Sequence, residues 1–91
     1  MPPWFLYIIE CQGGSLYTGI TTDVARRFAQ HQAGRGARYT RINPPLRLLL
    51  TLSFASRSEA LQAEYAIKQM SRSDKQAFCL SHGSSADAVP Q

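Results

Sequence analysis

Little in this chain of 91 residues points to a membrane, a secretory route or a disulfide scaffold. Its two cysteines, Cys11 and Cys79, form neither a C-x-x-C pair nor the framework of a small extracellular domain, so a reducing cytoplasm is the expected compartment. The opening Met1-Pro2-Pro3-Trp4 lacks the basic region of a secretory signal. The longest uncharged apolar runs, Trp4 to Ile9 and Leu48 to Leu52, fall far short of the roughly 18 residues that crossing a bilayer takes, and no membrane partner is expected. There is no internal repeat. A second hydrophobic core is excluded as well, because in so short a chain neither core could offset its conformational entropy. What remains is one ordinary globular domain, with 44% apolar and 18% charged residues, unlike a disordered or low-complexity chain.

Acids are scarce too: 6 Asp and Glu stand against 10 Lys and Arg, a net charge of +4. The imbalance is concentrated, since Arg26, Arg27, Arg35, Arg38, Arg41 and Arg47 follow one another with no acid between them. A basic surface can be merely solvated, and net charge alone predicts nucleic-acid binding poorly. The bias toward arginine points further, because guanidinium groups grip phosphate in a bidentate fork whereas lysine would serve solubility equally well.

Along the chain, Trp4 to Cys11 and Ser15 to Ile20 are rich in aromatic and β-branched residues and are separated by Gln12-Gly13-Gly14, the pattern of a β-hairpin. Thr22 or Asp23 caps a helix over Asp23 to Ala33, which Gly34 ends. Gly34 to Pro45 has no apolar periodicity and reads as a mobile loop. Leu46 to Phe54 is a third strand, and Ser56 or Ser58 opens a helix running to about Met70. Ser71-Arg72-Ser73-Asp74 has the form of a capping box for a short third helix. After Ser81 the composition turns to Gly, Ser, Ala and Pro, so the expected domain is 1–80 with a disordered tail over 81–91.

Loop length decides where the tyrosines of the hairpin point. A two-residue Gly13-Gly14 turn puts Tyr7 and Tyr17 on opposite faces of the sheet. A three-residue loop pairs Cys11 with Ser15 and puts both phenols on one face, with Gly14 supplying the left-handed conformation that this loop requires. The sequence permits both registers, and cross-strand packing alone would account for two tyrosines in strands.

Two helices carry polar groups out of place. In the first, Val24 and Phe28 define the apolar stripe, and Arg27 and His31 lie one turn apart along its edge. In the second, Glu64 falls inside an apolar arc formed by Ala60, Leu61 and Ile67, although the polar side has ample room for it. A buried carboxylate needs a partner. The candidates are Arg27, Lys68 one turn on, or a divalent metal, and only the metal makes Glu64 part of a chemical site.

Taken in order, Tyr7 within Phe5-Leu6-Tyr7, Tyr17-Thr18-Gly19, Arg27, and Glu64 within Ala60-Leu61-Gln62-Ala63-Glu64 resemble the GIY-YIG nuclease domain over about Trp4 to Lys75. Tyr7 to Tyr17 and Tyr17 to Arg27 are equally spaced, and His31 follows one helical turn later, as in several members. The likeness is to the small stand-alone bacterial proteins of that family. Two features depart from its pattern: Phe5-Leu6 replaces Gly-Ile, and Ile20 stands where excision-repair members often carry lysine.

The resemblance implies an α+β fold in the order β-β-α-β-α-α, a three-stranded antiparallel sheet flanked by helices. It implies a phosphodiesterase acting on nucleic acid, DNA ahead of RNA, in repair or processing, with one Mg²⁺ or Mn²⁺ ion held by Glu64. Tyr7, Tyr17, Arg27, His31 and Glu64 are then the catalytic set. Arg27 would stabilise charge on phosphorus, and Tyr17 would be the base that activates water. A phenol has a pKa near 10, so that role requires Tyr7, Arg27 or His31 close by. Arg26, Arg35, Arg38, Arg41 and Lys68 would contact backbone phosphates, which gives affinity without base-sequence information. The alternative is a non-catalytic nucleic-acid-binding module on the same fold. Glu64 discriminates, because a carboxylate in a phosphate groove repels the ligand unless a metal screens it.

Overall fold

The computed structural model describes residues 2–88, with side chains described through residue 82. Strands β1 (Trp4–Cys11), β2 (Leu16–Thr21) and β3 (Pro45–Phe54) form one antiparallel sheet in the order β2-β1-β3. Helices α1 (Val24–Gln32) and α2 (Arg38–Ile42) lie between β2 and β3, and α3 (Arg57–Lys68) and α4 (Arg72–Ala88) follow. The α+β class and the three-stranded antiparallel sheet are as the sequence suggests. One helix is additional: α2 falls in the stretch without periodicity. With five residues it is too short to hold its shape unaided. Asn43 braces it by donating both its backbone N–H and its side-chain Nδ2 to the Tyr39 carbonyl.

The helix ends follow local chemistry. Asp23 caps α1 by accepting from the Arg26 N–H at 3.1 Å. At the far end Gly34, at φ 77°, lets its own N–H reach the His31 carbonyl while that of Arg35 reaches Gln30, a closing pair that turns the chain sharply. Ser56 caps α3 and Ser71 caps α4, each accepting from the N–H three residues on. Helix α4 continues past Ser81 to Ala88, and residues 89–91 of the expected tail lie outside the described residues.

β1 is the middle strand and is covered on both faces, which explains its unbroken apolar run. Leu6 and Ile8 face one way, into a core with Leu50, Ile67 and Cys79. Tyr7, Ile9 and Cys11 face the other, against Tyr17, Val24 and Phe28. On α3, Ala60 and Ile67 are buried but Leu61 is exposed, so the apolar arc is narrower than the helical wheel suggests and Glu64 stands at its edge. Among the described residues no helix is long and apolar enough to cross a membrane.

Candidate active site

The hairpin takes the three-residue loop. Cys11 donates its N–H to the Ser15 carbonyl at 2.8 Å, and Gly13 and Gly14 both sit at φ 85°. Tyr7 therefore pairs with Gly19 and Ile9 with Tyr17, so both phenols share a face, their ring centroids 6.3 Å apart. Gly19 is required opposite Tyr7. A Cβ there would stand 2.5 Å from the Tyr7 hydroxyl, so only glycine lets the ring lie across the neighbouring strand.

His31 arrives from the last turn of α1 and is 1% exposed. Its Nε2 lies 2.9 Å from the Tyr7 hydroxyl, and its Nδ1 lies 2.7 Å from Thr40 Oγ1, which donates to the Ala37 carbonyl at 2.9 Å. The chain beyond α1 passes so close to the imidazole that a Cβ at Gly36 would meet Nδ1. Tyr17 packs edge-on to His31 at 5.2 Å and stacks on Tyr39 of α2 at 5.9 Å. Among the described residues its hydroxyl makes no hydrogen bond, unlike that of Tyr7.

Burial sets the electrostatics of this cluster. Desolvation pushes the Tyr7 phenol up to about 12, with the nearby Tyr17 and the Glu64 carboxylate adding to the rise and the Arg27 guanidinium opposing it by hydrogen bonding and charge. Burial, and then the positive charge of Arg27, hold the His31 pKa below its ordinary value, so the imidazole is neutral at pH 7. Arg27 and Glu64 thus both act on the ring that Tyr7 places at the centre. Arg27 also donates from Nη1 to Gln30 Oε1 at 3.0 Å, and with Arg26, Thr21, Thr22 and Asp23 these residues line a pocket of about 160 Å³.

The partner of Glu64 is Lys68, at 3.2 Å from Oε2, and Arg27 forms no ion pair with it. The lysine side chain is 49% exposed against 17% for Glu64, so the pair opens toward solvent. Among the described residues no three His, Cys, Asp or Glu side chains converge. Glu64 alone is a donor set that suits Mg²⁺, which binds through one or two carboxylates and completes its shell with water and substrate phosphate, and does not suit Zn²⁺, which takes three or four protein ligands.

Tyr7, Tyr17 and His31 are in ring contact where β1, β2 and α1 meet, and the charges of Arg27 and, more weakly, of Glu64 on α3 reach Tyr7. Arg26 lines the pocket with Arg27, and Lys68 pairs with Glu64. Arg35, Arg38 and Arg41 are exposed on the segment from Gly34 through α2, and no acid among the described residues pairs with them. Arg47, by contrast, pairs with Glu10 across the sheet. Thr40, Tyr39 and Gly36 are absent from the sequence reading. They lie where periodicity is silent, and only contact with His31 or Tyr17 marks them.

A family model described as the GIY-YIG catalytic domain matches residues 3–77. A UPF0213 protein of Cupriavidus pinatubonensis is 67% identical over 84% of this chain and 84% of its own length. Another, from Halobacterium salinarum, is 57% identical over 80% of this chain and 95% of its own. The solution NMR structure of a UPF0213 protein from Bacillus halodurans superposes with a TM-score of 0.59 at 46% identity, covering 89% of this chain and 86% of that one. The chain belongs to the GIY-YIG family, a nuclease-type domain family. Its similar relatives are small single-domain UPF0213 proteins, whose names state no substrate.

Proposed function

We propose that this protein is a divalent-metal-dependent endonuclease that hydrolyses phosphodiester bonds in DNA, structure-directed or non-specific, in repair or processing. The observation that carries this reading is the convergence of two phenols, a neutral imidazole, a guanidinium and a lone carboxylate beside an unpaired arginine surface. Tyr17, as the phenolate, takes a proton from water while the water oxygen bonds to phosphorus. The bond to the leaving oxygen then breaks with its electron pair, and that oxygen is protonated from solvent. Arg27 stabilises the added charge on the phosphoryl oxygens. Glu64 would hold the Mg²⁺ or Mn²⁺, which would supply Lewis-acid polarisation of phosphate and neutralise the leaving oxygen. Exposed Arg35, Arg38 and Arg41 bind backbone phosphates without reading sequence.

One observation favours a second reading, a nucleic-acid-binding module without catalysis: Lys68 already occupies Glu64. The ion pair is half open to solvent and engages one carboxylate oxygen, so it costs little to displace. Purified protein is therefore to be tested on duplex, nicked, flap and single-stranded DNA and on RNA, with Mg²⁺, Mn²⁺ or EDTA. Cleavage that EDTA stops, and that Glu64→Gln lowers by about 10²-fold or more, supports the nuclease. Binding without cleavage of any substrate overturns it in favour of the module.

A further inference from the structure

We propose that Thr40 is a positioning residue whose hydroxyl, anchored on the Ala37 carbonyl, locks His31 as the Nδ1–H tautomer and thereby makes Tyr7 a fixed donor. The argument is one of hydrogen counting. Thr40 Oγ1 has one proton and two neighbours within reach, His31 Nδ1 at 2.7 Å and the Ala37 carbonyl at 2.9 Å. A carbonyl can only accept. The Ala37 carbonyl also accepts the Thr40 and Arg41 N–H groups, so the cost of giving the Thr40 proton to His31 would be lone-pair repulsion between two oxygens 2.9 Å apart in a buried site, since Thr40 is 1% exposed. The proton therefore goes to Ala37, Nδ1 must donate, and Nε2 is left to accept from the Tyr7 hydroxyl at 2.9 Å.

The obligate acceptor at the Ala37 end gives every bond the same direction, from Tyr7 through His31 and Thr40 to the Ala37 carbonyl. The Tyr7 proton is thereby committed to His31, and Tyr17, with its hydroxyl unbonded among the described residues, is left free to face water. The tautomer lock stands on geometry alone; its effect on turnover rests on the nuclease reading.

The test uses the full chain labelled with ¹⁵N. Long-range proton–nitrogen spectra at about pH 8 distinguish a protonated from a bare ring nitrogen. Wild type is expected to show His31 with Nδ1 protonated and Nε2 bare, and Thr40→Ser, which keeps the hydroxyl, the same. Thr40→Val removes the hydroxyl at nearly constant shape and is expected to shift the population toward Nε2–H. It should also lower cleavage by about tenfold or more, while Thr40→Ser stays within about threefold of wild type. An Nε2–H tautomer in wild type overturns the proposal, as does an unchanged tautomer in a Thr40→Val protein whose amide spectrum shows it folded. Should that variant not fold, wild type and Thr40→Ser decide the tautomer by themselves. Absence of cleavage in wild type sinks the nuclease reading and leaves the tautomer result standing. A shifted tautomer with undiminished cleavage overturns the catalytic consequence.

Discussion

The two faces of β1 carry side chains of similar burial put to opposite uses. Leu6 and Ile8 meet Leu50, Ile67 and Cys79 under α3 and α4, an aliphatic layer without a hydrogen-bond requirement. One residue out of phase, Tyr7 lies on the face that also holds His31 and Thr40, both 1% exposed and both polar. The first face gains stability from every methylene it removes from water. The second gains in the same way from Ile9, Cys11, Val24 and Phe28, but each of its buried polar atoms must find a partner merely to break even. Such a face earns its place by fixing hydrogen-bond directions. The lesson is that a three-stranded sheet this small can hold a buried polar chain because apolar packing on both faces of β1 supplies the stability.

The comparison is broken most directly at the proposed base. Tyr17→Phe removes one oxygen and keeps the ring stack on Tyr39, so turnover should fall by about 10² to 10⁴ with binding nearly intact. Tyr7→Phe should cost less in turnover and more in the melt, since it leaves His31 Nε2 buried without a partner. A larger loss of turnover in Tyr7→Phe would reverse the two roles. On the aliphatic face, Ile8→Ala should destabilise the fold by about 2 to 5 kcal/mol in chemical denaturation while activity per folded molecule stays unchanged.

Titration sharpens the contrast. His31 has its pKa depressed in the fold, so below its unfolded value of about 6.5 the unfolded chain binds more protons. Its contribution to stability is present above that pH and is lost as pH falls toward the folded value. Tyr7 works at the other end. Because its folded pKa is raised to about 12, its contribution is present below about pH 10 and lost as pH climbs toward 12. The buried Cys11 and Cys79 thiols, also pushed up by desolvation, add the same sign on the alkaline side. Denaturation midpoints across pH should show both flanks, and His31→Asn should remove the acid one. The mildest change is at the surface. Replacing Arg35, Arg38 and Arg41 with Ala should leave the fold intact and flatten the slope of log K for DNA against log salt by about 2 to 3. An unchanged slope would move the nucleic-acid surface elsewhere.

Much of this molecule was decided locally. Asp23, Gly34, Ser56 and Ser71 set helix ends by hydrogen bonds that span at most a few residues, so the strands and longer helices are legible in the chain. Tyr7, Tyr17, Arg27, His31 and Glu64 are legible as an ordered set through their resemblance to the GIY-YIG motifs, and helical spacing ties only Arg27 to His31. Three things were settled only by the tertiary structure. The hairpin register was open in the sequence, since Gly13-Gly14 suits two loop lengths, and long-range pairing and packing chose the one that brings the phenols together. Which cation meets Glu64 was open, and the fold leaves Arg27 out of any ion pair with it, so that Lys68, one turn along the same helix, is its cationic partner. Helix α2, with Thr40, was invisible, because a five-residue segment has no periodicity to read and is held by His31 and the Ala37 carbonyl. Sequence patterns record contacts that recur along an element. A single buried hydroxyl that meets an imidazole nine positions away leaves no such pattern until the chain has folded.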